Sequence, residues 1–271
     1  MASLYLNAEN VTDFEEELQE TWDQDLEREY SLVDVEYIDD TWTGVFVDND
    51  KDNFFEWAED FSGLQEKIEA RQDEYHDLVD LDYIDDTWVA VFDYNMFSIQ
   101  GSDYELAQDL TEFAEDTQKQ LDSGYNITNI EYANGNWIGI YGNDLGTSTY
   151  ATSDSLTGFK SDVAQARAEG FELVGVEYAE DTWVSVFQEY IYYGNIYHTT
   201  KYALAEDAEE FQSKFEARTE EGYDLIDYEQ IDDIYLGIFQ QPIETSSDVI
   251  EGSDAMWLAL SMIDDVNSVS I

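Results

Sequence analysis

The stretch DNDKDNFFEWAE, residues 48–59, places carboxylates at its first, third and fifth positions, Asp48, Asp50 and Asp52, and Glu59 at its twelfth. That is the ligand spacing of an EF-hand calcium loop, with Asn53 where the sharp-turn glycine belongs. A second acidic pattern recurs as pairs: Asp39 and Asp40, Asp85 and Asp86, Glu180 and Asp181, and Asp232 and Asp233. Paired carboxylates are hard oxygen ligands for weak cation sites, and they repel each other unless screened or bridged. A third feature is YIYYGNIYHTTKY, residues 190–202, which offers Tyr190, Tyr192, Tyr193, Tyr197, His198 and Tyr202 as rigid amphipathic contact groups for a protein or sugar. His76 and His198 are the only histidines, and neither sits in a triad, an HExxH helix or metal-ligand spacing. Without cysteine there is no thiolate site and no disulfide framework.

The balance of 65 acidic against 10 basic residues gives a formal net charge of −55. Ten scattered cations cannot build a basic patch, so direct nucleic-acid binding is excluded. An aromatic content of 15 % separates the chain from disordered acidic tails, and self-repulsion at this charge calls for salt or divalent cations in the medium. The longest apolar run, residues 255–263, is too short to span a bilayer. MASLYLNAEN lacks the charged and apolar regions of a signal peptide. Secretion without such a signal is therefore expected, or residence in a salt-accumulating cytoplasm.

Positioning elements follow from an internal repeat. Five hairpins recur at residues 30–46, 76–92, 125–141, 171–187 and 223–239, with marker residues Trp42, Trp88, Trp137, Trp183 and Tyr235 spaced by 46, 49, 46 and 52. Each reads as two alternating β runs about a two-residue turn, and Asn134-Gly135 identifies that turn as type I′. This register sets Tyr37 opposite Trp42, Val35 opposite Gly44 and Val33 opposite Phe46. The central position is small in every copy (Gly44, Ala90, Gly139, Ser185, Gly237), which predicts a socket for a close-packed helix. The helix is expected just before each hairpin, its apolar pairs being Leu18/Trp22, Leu64/Ile68, Phe159/Val163 and Phe211/Phe215, with Phe113 beside polar Thr117 in copy three. Lys67, Arg71, Lys214 and Arg218 fall late in these helices and read as structural pairing partners.

A third β run lies between each hairpin and the next helix, and the chain opens with one, SLYLNAENVTDF matching STYATSDSLTGF. The predicted fold is α+β: five tandem β-hairpin/third-strand/helix repeats over residues 1–239. The repeats close into a propeller-like ring in which the first strand completes the last sheet; the alternative is an open solenoid. Residues 240–271, with the chain's only proline, read as a tail that plugs the ring or serves as an export signal.

The unit G-[YF]-x-[ILV]-x-x-[IV]-x-Y-x-x-x-x-W-[VI]-x-[VI]-[FY] after a short helix resembles a family of uncharacterised tandem repeats. These are found in bacterial multidomain proteins and behind the kinase domain of some plant casein-kinase-like proteins. The likeness is clearest at Gly124–Tyr141 and Gly170–Phe187 and covers Leu4 to Phe239; the first two copies lack the leading glycine, and the fifth has Tyr235 for tryptophan. The resemblance implies a shared scaffold and no catalytic set.

Aligning the copies tests the calcium loop. Asp48, Asp50 and Asp52 fall opposite Asn143, Leu145 and Thr147, so the position does not require a metal. With residues 53–59 extended, Glu59 would lie ~20 Å along the chain from Asp52 at ~3.3 Å per residue, too far to close the same ion. A looser site from Asp48, Asp50 and Asp52 stays open, as do weak rim sites at the paired tips. The reading is a non-enzymatic repeat protein that binds or scaffolds. It needs no cofactor, with calcium as the candidate ion, and its partner is a protein or a carbohydrate. The rival classes are a glycan hydrolase and an acidic nucleic-acid mimic bound to a basic protein.

Overall fold

The computed structural model describes residues 4–24, 30–48, 53–94, 101–143, 146–189, 196–231 and 234–244. They form five units, each a strand, a helix and a hairpin in chain order. Unit 1 is β1 (Leu4–Ala8), α1 (Val11–Gln24), β2 (Tyr30–Ile38) and β3 (Thr41–Asp48). Unit 2 is β4 (Asn53–Ala58), α2 (Phe61–Asp73), β5 (His76–Ile84) and β6 (Thr87–Tyr94). Unit 3 is β7 (Asp103–Ala107), α3 (Leu110–Asp122), β8 (Asn126–Ala133) and β9 (Asn136–Gly142). Unit 4 is β10 (Ser148–Ser153), α4 (Leu156–Ala168), β11 (Phe171–Ala179) and β12 (Thr182–Glu189). Unit 5 is β13 (Ile196–Ala205), α5 (Ala208–Glu220), β14 (Asp224–Ile231) and β15 (Ile234–Glu244).

Each unit carries its own antiparallel three-stranded sheet, the second hairpin strand lying in the middle. This corrects the expected phase. The third strand belongs to the hairpin that follows it, so β1 pairs with β3 and not with the last sheet. The helix between the two supplies a crossover whose apolar face covers the sheet it connects. β15 also runs past residue 239, pairing with β13 as far as Glu244; Pro242 stands opposite His198 beyond the last β14 partner, Gln240, where β15 has one neighbouring strand.

Local sequence dictates the helix ends. Asn10, Asp60, Asp109, Ser155 and Asp207 each lie four residues before the first buried helix residue, and each side chain accepts a hydrogen bond from an N–H of the first turn. Units 3 to 5 leave the helix through Gly124, Gly170 and Gly222 at φ of 91°, 94° and 87°. Unit 2 uses Tyr75 there at φ 68°. The four described hairpin tips have two successive positive-φ residues, Asp39-Asp40, Asp85-Asp86, Asn134-Gly135 and Glu180-Asp181, as a type I′ turn requires.

One irregularity recurs in all five sheets. The register slips by one residue at Leu32/Asp34, Leu78/Asp80, Ile127/Asn129, Leu173/Gly175 and Leu225/Asp227. Leu32, not Val33, therefore stands opposite Phe46, while Val35 faces Gly44 and Tyr37 faces Trp42 as the turn type implies. The bulge places Leu32 and Val35 on the helix-covered face and turns Asp34 and Glu36 to the other.

In unit 1 Phe14 and Leu18 hold the places of Leu64 and Ile68, four residues further from the hairpin than in the other units; of the expected Leu18/Trp22 pair, the Trp22 side chain lies outside the described residues. Phe14 and Phe211 fill the sockets over Gly44 and Gly237, whereas Gly139 lies under the phenol of Tyr141 from its own strand. Thr117, the polar exception in copy three, hydrogen-bonds that phenol at 2.9 Å inside the core. Lys67 and Arg71 both pair with Glu56, Lys214 with Glu210 and Arg218 with Glu221, so these cations are structural partners.

Five apolar clusters join the units. The helix-covered face of unit 1 (Phe14, Leu18, Trp42, Phe46) receives Ile84, Val89 and Val91 from the other face of unit 2. Unit 2 receives Ala133, Ile138 and Ile140 of unit 3, and unit 3 receives Val184 and Val186 of unit 4. Unit 4 receives Ile231, Leu236 and Ile238 of unit 5. Unit 5 receives Ile38 and Val45 of unit 1.

Candidate functional site

The first hairpin strands lie against one another: β2 on β5, β5 on β8, β8 on β11, β11 on β14 and β14 on β2. The face they share is the one that the bulge fills with polar residues. Two positions recur on it. The residue beside the bulge is Asp34, Asp80, Asn129, Gly175 and Asp227, and the residue two further on is acidic in all five units: Glu36, Asp82, Glu131, Glu177 and Glu229.

The residues beside the bulge tie units together. A bulge releases one amide from the sheet ladder, and the next unit's carboxylate accepts it. Val35 N–H donates to Asp80 at 3.1 Å, Val176 N–H to Asp227 at 3.0 Å and Tyr228 N–H to Asp34 at 3.0 Å. Unit 4 has Gly175 there and offers no such acceptor; Glu177 instead accepts from Tyr132 N–H, two residues past the bulge amide of unit 3, at 2.9 Å. In unit 3, Asn129 turns back to Ile130 N–H and gives its amide to Glu131 at 3.0 Å.

The second set contains a tighter convergence. Glu36, Glu131 and Glu229, from units 1, 3 and 5, each present a carboxylate oxygen within 4.8 Å of the others. The remaining two members are held elsewhere: Asp82 is one methylene shorter and accepts from Tyr83 N–H at 2.6 Å, and Glu177 is occupied by Tyr132. Glu131 and Glu229 are buried, and Glu36 is half-buried. Among the described residues, no Lys or Arg pairs with any of the eight carboxylates.

Loss of hydration in this setting disfavours the charged form. Burial pushes Asp80 and Glu177 up to about 8, Asp227 to about 7 and Asp82 to about 6, and the charge of Asp82 adds to the rise at Asp80 and Glu177. Asp34, Glu36, Glu131 and Glu229 rise well above the carboxylate range, first through burial and then through neighbouring carboxylates, chiefly Asp80 at Asp34 and Glu131, Glu229 at Glu36, and Glu177 at Glu229. Three like charges at this spacing repel by about 3–4 kcal/mol per pair at an effective dielectric near 20. Protons or a cation must offset that.

The residues singled out from sequence lie elsewhere. Asp50, Asp52, Asp232, Asp233, Tyr190, Tyr192 and Tyr193 fall outside the described residues, and Asp48 and Tyr197 are described in backbone only. Asn53–Ala58 is a strand, as the extended reading of the calcium loop requires, and Glu59 is exposed beyond its end. The tips at Asp39-Asp40, Asp85-Asp86 and Glu180-Asp181 are exposed. They meet neighbouring units: Asp39 accepts from Tyr235 Oη at 2.8 Å, and Glu180 from Tyr132 Oη at 3.1 Å. Tyr202 packs edge-on against Phe159 at 5.5 Å and serves the core. His198 lies on β13 with Nδ1 buried and unpaired, and burial lowers its pKa; His76 packs against Phe54 with Nδ1 3.1 Å from the Arg71 carbonyl.

Sequence reasoning did not single out the inner carboxylates. Their signal was the unbroken acidity of one strand position across five copies that vary at the positions around it. Comparison with protein-family models, with curated proteins and with solved structures finds no match to this chain.

Proposed function

We propose that the five units close into a propeller-like ring, and that the protein is a non-enzymatic scaffold that meets a protein or carbohydrate partner in a medium supplying salt or calcium. The observation that carries this reading is the seam between units 5 and 1. It uses the parts of the seam between units 1 and 2: Ile38 and Val45 enter the Phe211 cluster as Ile84 and Val91 enter the Phe14 cluster. Tyr228 N–H meets Asp34 as Val35 N–H meets Asp80. An open solenoid would leave the outer faces of units 1 and 5 apart, each exposing apolar side chains. Asn7 and Gln212 line one cavity at this seam, and the chain has no cysteine of its own. Thiols introduced as Asn7→Cys and Gln212→Cys should therefore be joined within one chain by a short bifunctional reagent. Absence of that cross-link in folded monomer would replace the ring with the solenoid. Glycan screening is expected to show binding without turnover, and turnover would move the reading to a hydrolase.

A further inference from the structure

We infer that Glu36, Glu131 and Glu229 form an all-oxygen site for one calcium-class divalent cation where the five inner strands meet. This rests on the ring reading, because the three residues come from units 1, 3 and 5 and only a closed arrangement holds them together.

Two observations carry it. The first is convergence, with three carboxylate oxygens within 4.8 Å of one another. The second is Glu229 itself. It is 7 % exposed, yet among the described residues it accepts no hydrogen bond and pairs with no cation, and its carboxylate faces Glu36 and Glu131. Buried polar groups ordinarily have partners, and a carboxylate nine-tenths buried against two others, with no donor facing it, leaves a place for a ligand.

Geometry and ligand type select the ion. Carboxylate oxygens without histidine or cysteine suit a hard cation. Calcium bonds oxygen at about 2.3–2.6 Å, so ligands on opposite sides of it can stand about 4.6–5.2 Å apart. Magnesium, at about 2.0–2.1 Å, draws opposite ligands to about 4.2 Å and holds its waters more tightly. Three oxygens up to 4.8 Å apart stand at most about 2.8 Å from a common centre, a few tenths of an ångström beyond calcium's bond length and further beyond magnesium's. The site is distinct from the Asp48 loop and from the hairpin tips.

The test uses the full chain, stripped with chelator and titrated calorimetrically with CaCl2 or MgCl2 at constant ionic strength. One calcium per chain is expected, with Kd at or below about 10⁻⁴ M and magnesium weaker. Glu229→Gln should weaken calcium binding by about 10- to 100-fold or more, given that losing even an outer-sphere partner costs that much. In chelator the same variant should melt above the unsubstituted protein, because one buried charge is gone. Glu36→Gln supplies the same comparison if Glu229→Gln does not fold. The double tip variant Asp39→Asn/Asp40→Asn should bind calcium unchanged. An absence of saturable calcium heat while the Asn7–Gln212 cross-link forms would overturn the site and leave the ring. Loss of both cross-link and calcium heat would overturn the ring reading with the site. Undiminished binding in Glu229→Gln and Glu36→Gln, or its loss in the tip variant, would place calcium elsewhere and overturn the proposal.

Discussion

The pair Thr117–Tyr141 is an exchange of two core residues within one unit, and the other four units show its alternative. Where unit 3 has Tyr141 over Thr117, units 1, 2, 4 and 5 have Phe46 with Leu18, Phe92 with Ile68, Phe187 with Val163 and Phe239 with Phe215. Thr117 and Tyr141 are fully buried, and their hydroxyls are 2.9 Å apart. Thr117→Val alone strands the phenol in an apolar core, which costs about 1–3 kcal/mol. Tyr141→Phe alone strands the threonine hydroxyl, but a helical threonine can fall back on the carbonyl one turn earlier, so its cost lies near 1 kcal/mol. The double variant recreates the apolar pair of the sister units and should cost less than about 1 kcal/mol. The coupling is then about 2 kcal/mol, and it should be read from urea unfolding of all four proteins. In thermal melts, Thr117→Val should fall by about 4–8 °C at ~2–4 °C per kcal/mol, with the double variant recovering most of that. Additive losses would refute the claim that the two hydroxyls exist for each other.

Other perturbations follow from the same structure. Gly44→Ala sets a Cβ 2.9 Å from Phe14 Cζ and 3.0 Å from Leu32 Cδ1, so it should cost about 1–3 kcal/mol by denaturant unfolding; adding Phe14→Leu should relieve it, as unit 2 pairs Ala90 with Leu64. Tyr75→Gly should raise stability by about 1 kcal/mol in thermal melts, because Tyr75 is exposed and holds the left-handed position that glycine holds in units 3 to 5. In calcium-free buffer, Asp80 and Glu177, both pushed up to about 8, keep protons in the folded state that the unfolded chain has released above about pH 4–5. Stability should therefore fall as pH rises from about 5 to 8, by ~1.4 kcal/mol per pH unit for each proton so retained, and Asp80→Asn should flatten the profile. Below pH 4 the opposite limb appears, since the hydrogen bonds from Lys67 and Arg71 outweigh burial at Glu56 and hold its carboxyl low. A melting temperature climbing steadily from pH 5 to 8 would contradict the buried cluster.

The repeat, its hairpins and its turn type were legible in the chain because they are local. Alternation over seven or eight residues and a two-residue acidic or Asn-Gly turn are short-range requirements of backbone geometry. The lack of cysteine likewise removed thiolate and disulfide chemistry without any fold. Three things depended on tertiary structure. The sheet that each third strand joins was not legible, since a strand between two hairpins has two suitable edges and only helix packing chooses between them. The bulge was hidden because residues such as Val33 and Leu32 are equally apolar, and the register slip appears only when Leu32 has to reach the helix. The inner carboxylates looked like solvated polar positions on strands that alternate as exposed ones do. Only the packing of five such strands against one another removes water from Glu36, Glu131 and Glu229 and brings residues 95 and 98 positions apart within ion-binding distance. Desolvation and proximity belong to the assembled fold, and no local pattern encodes them.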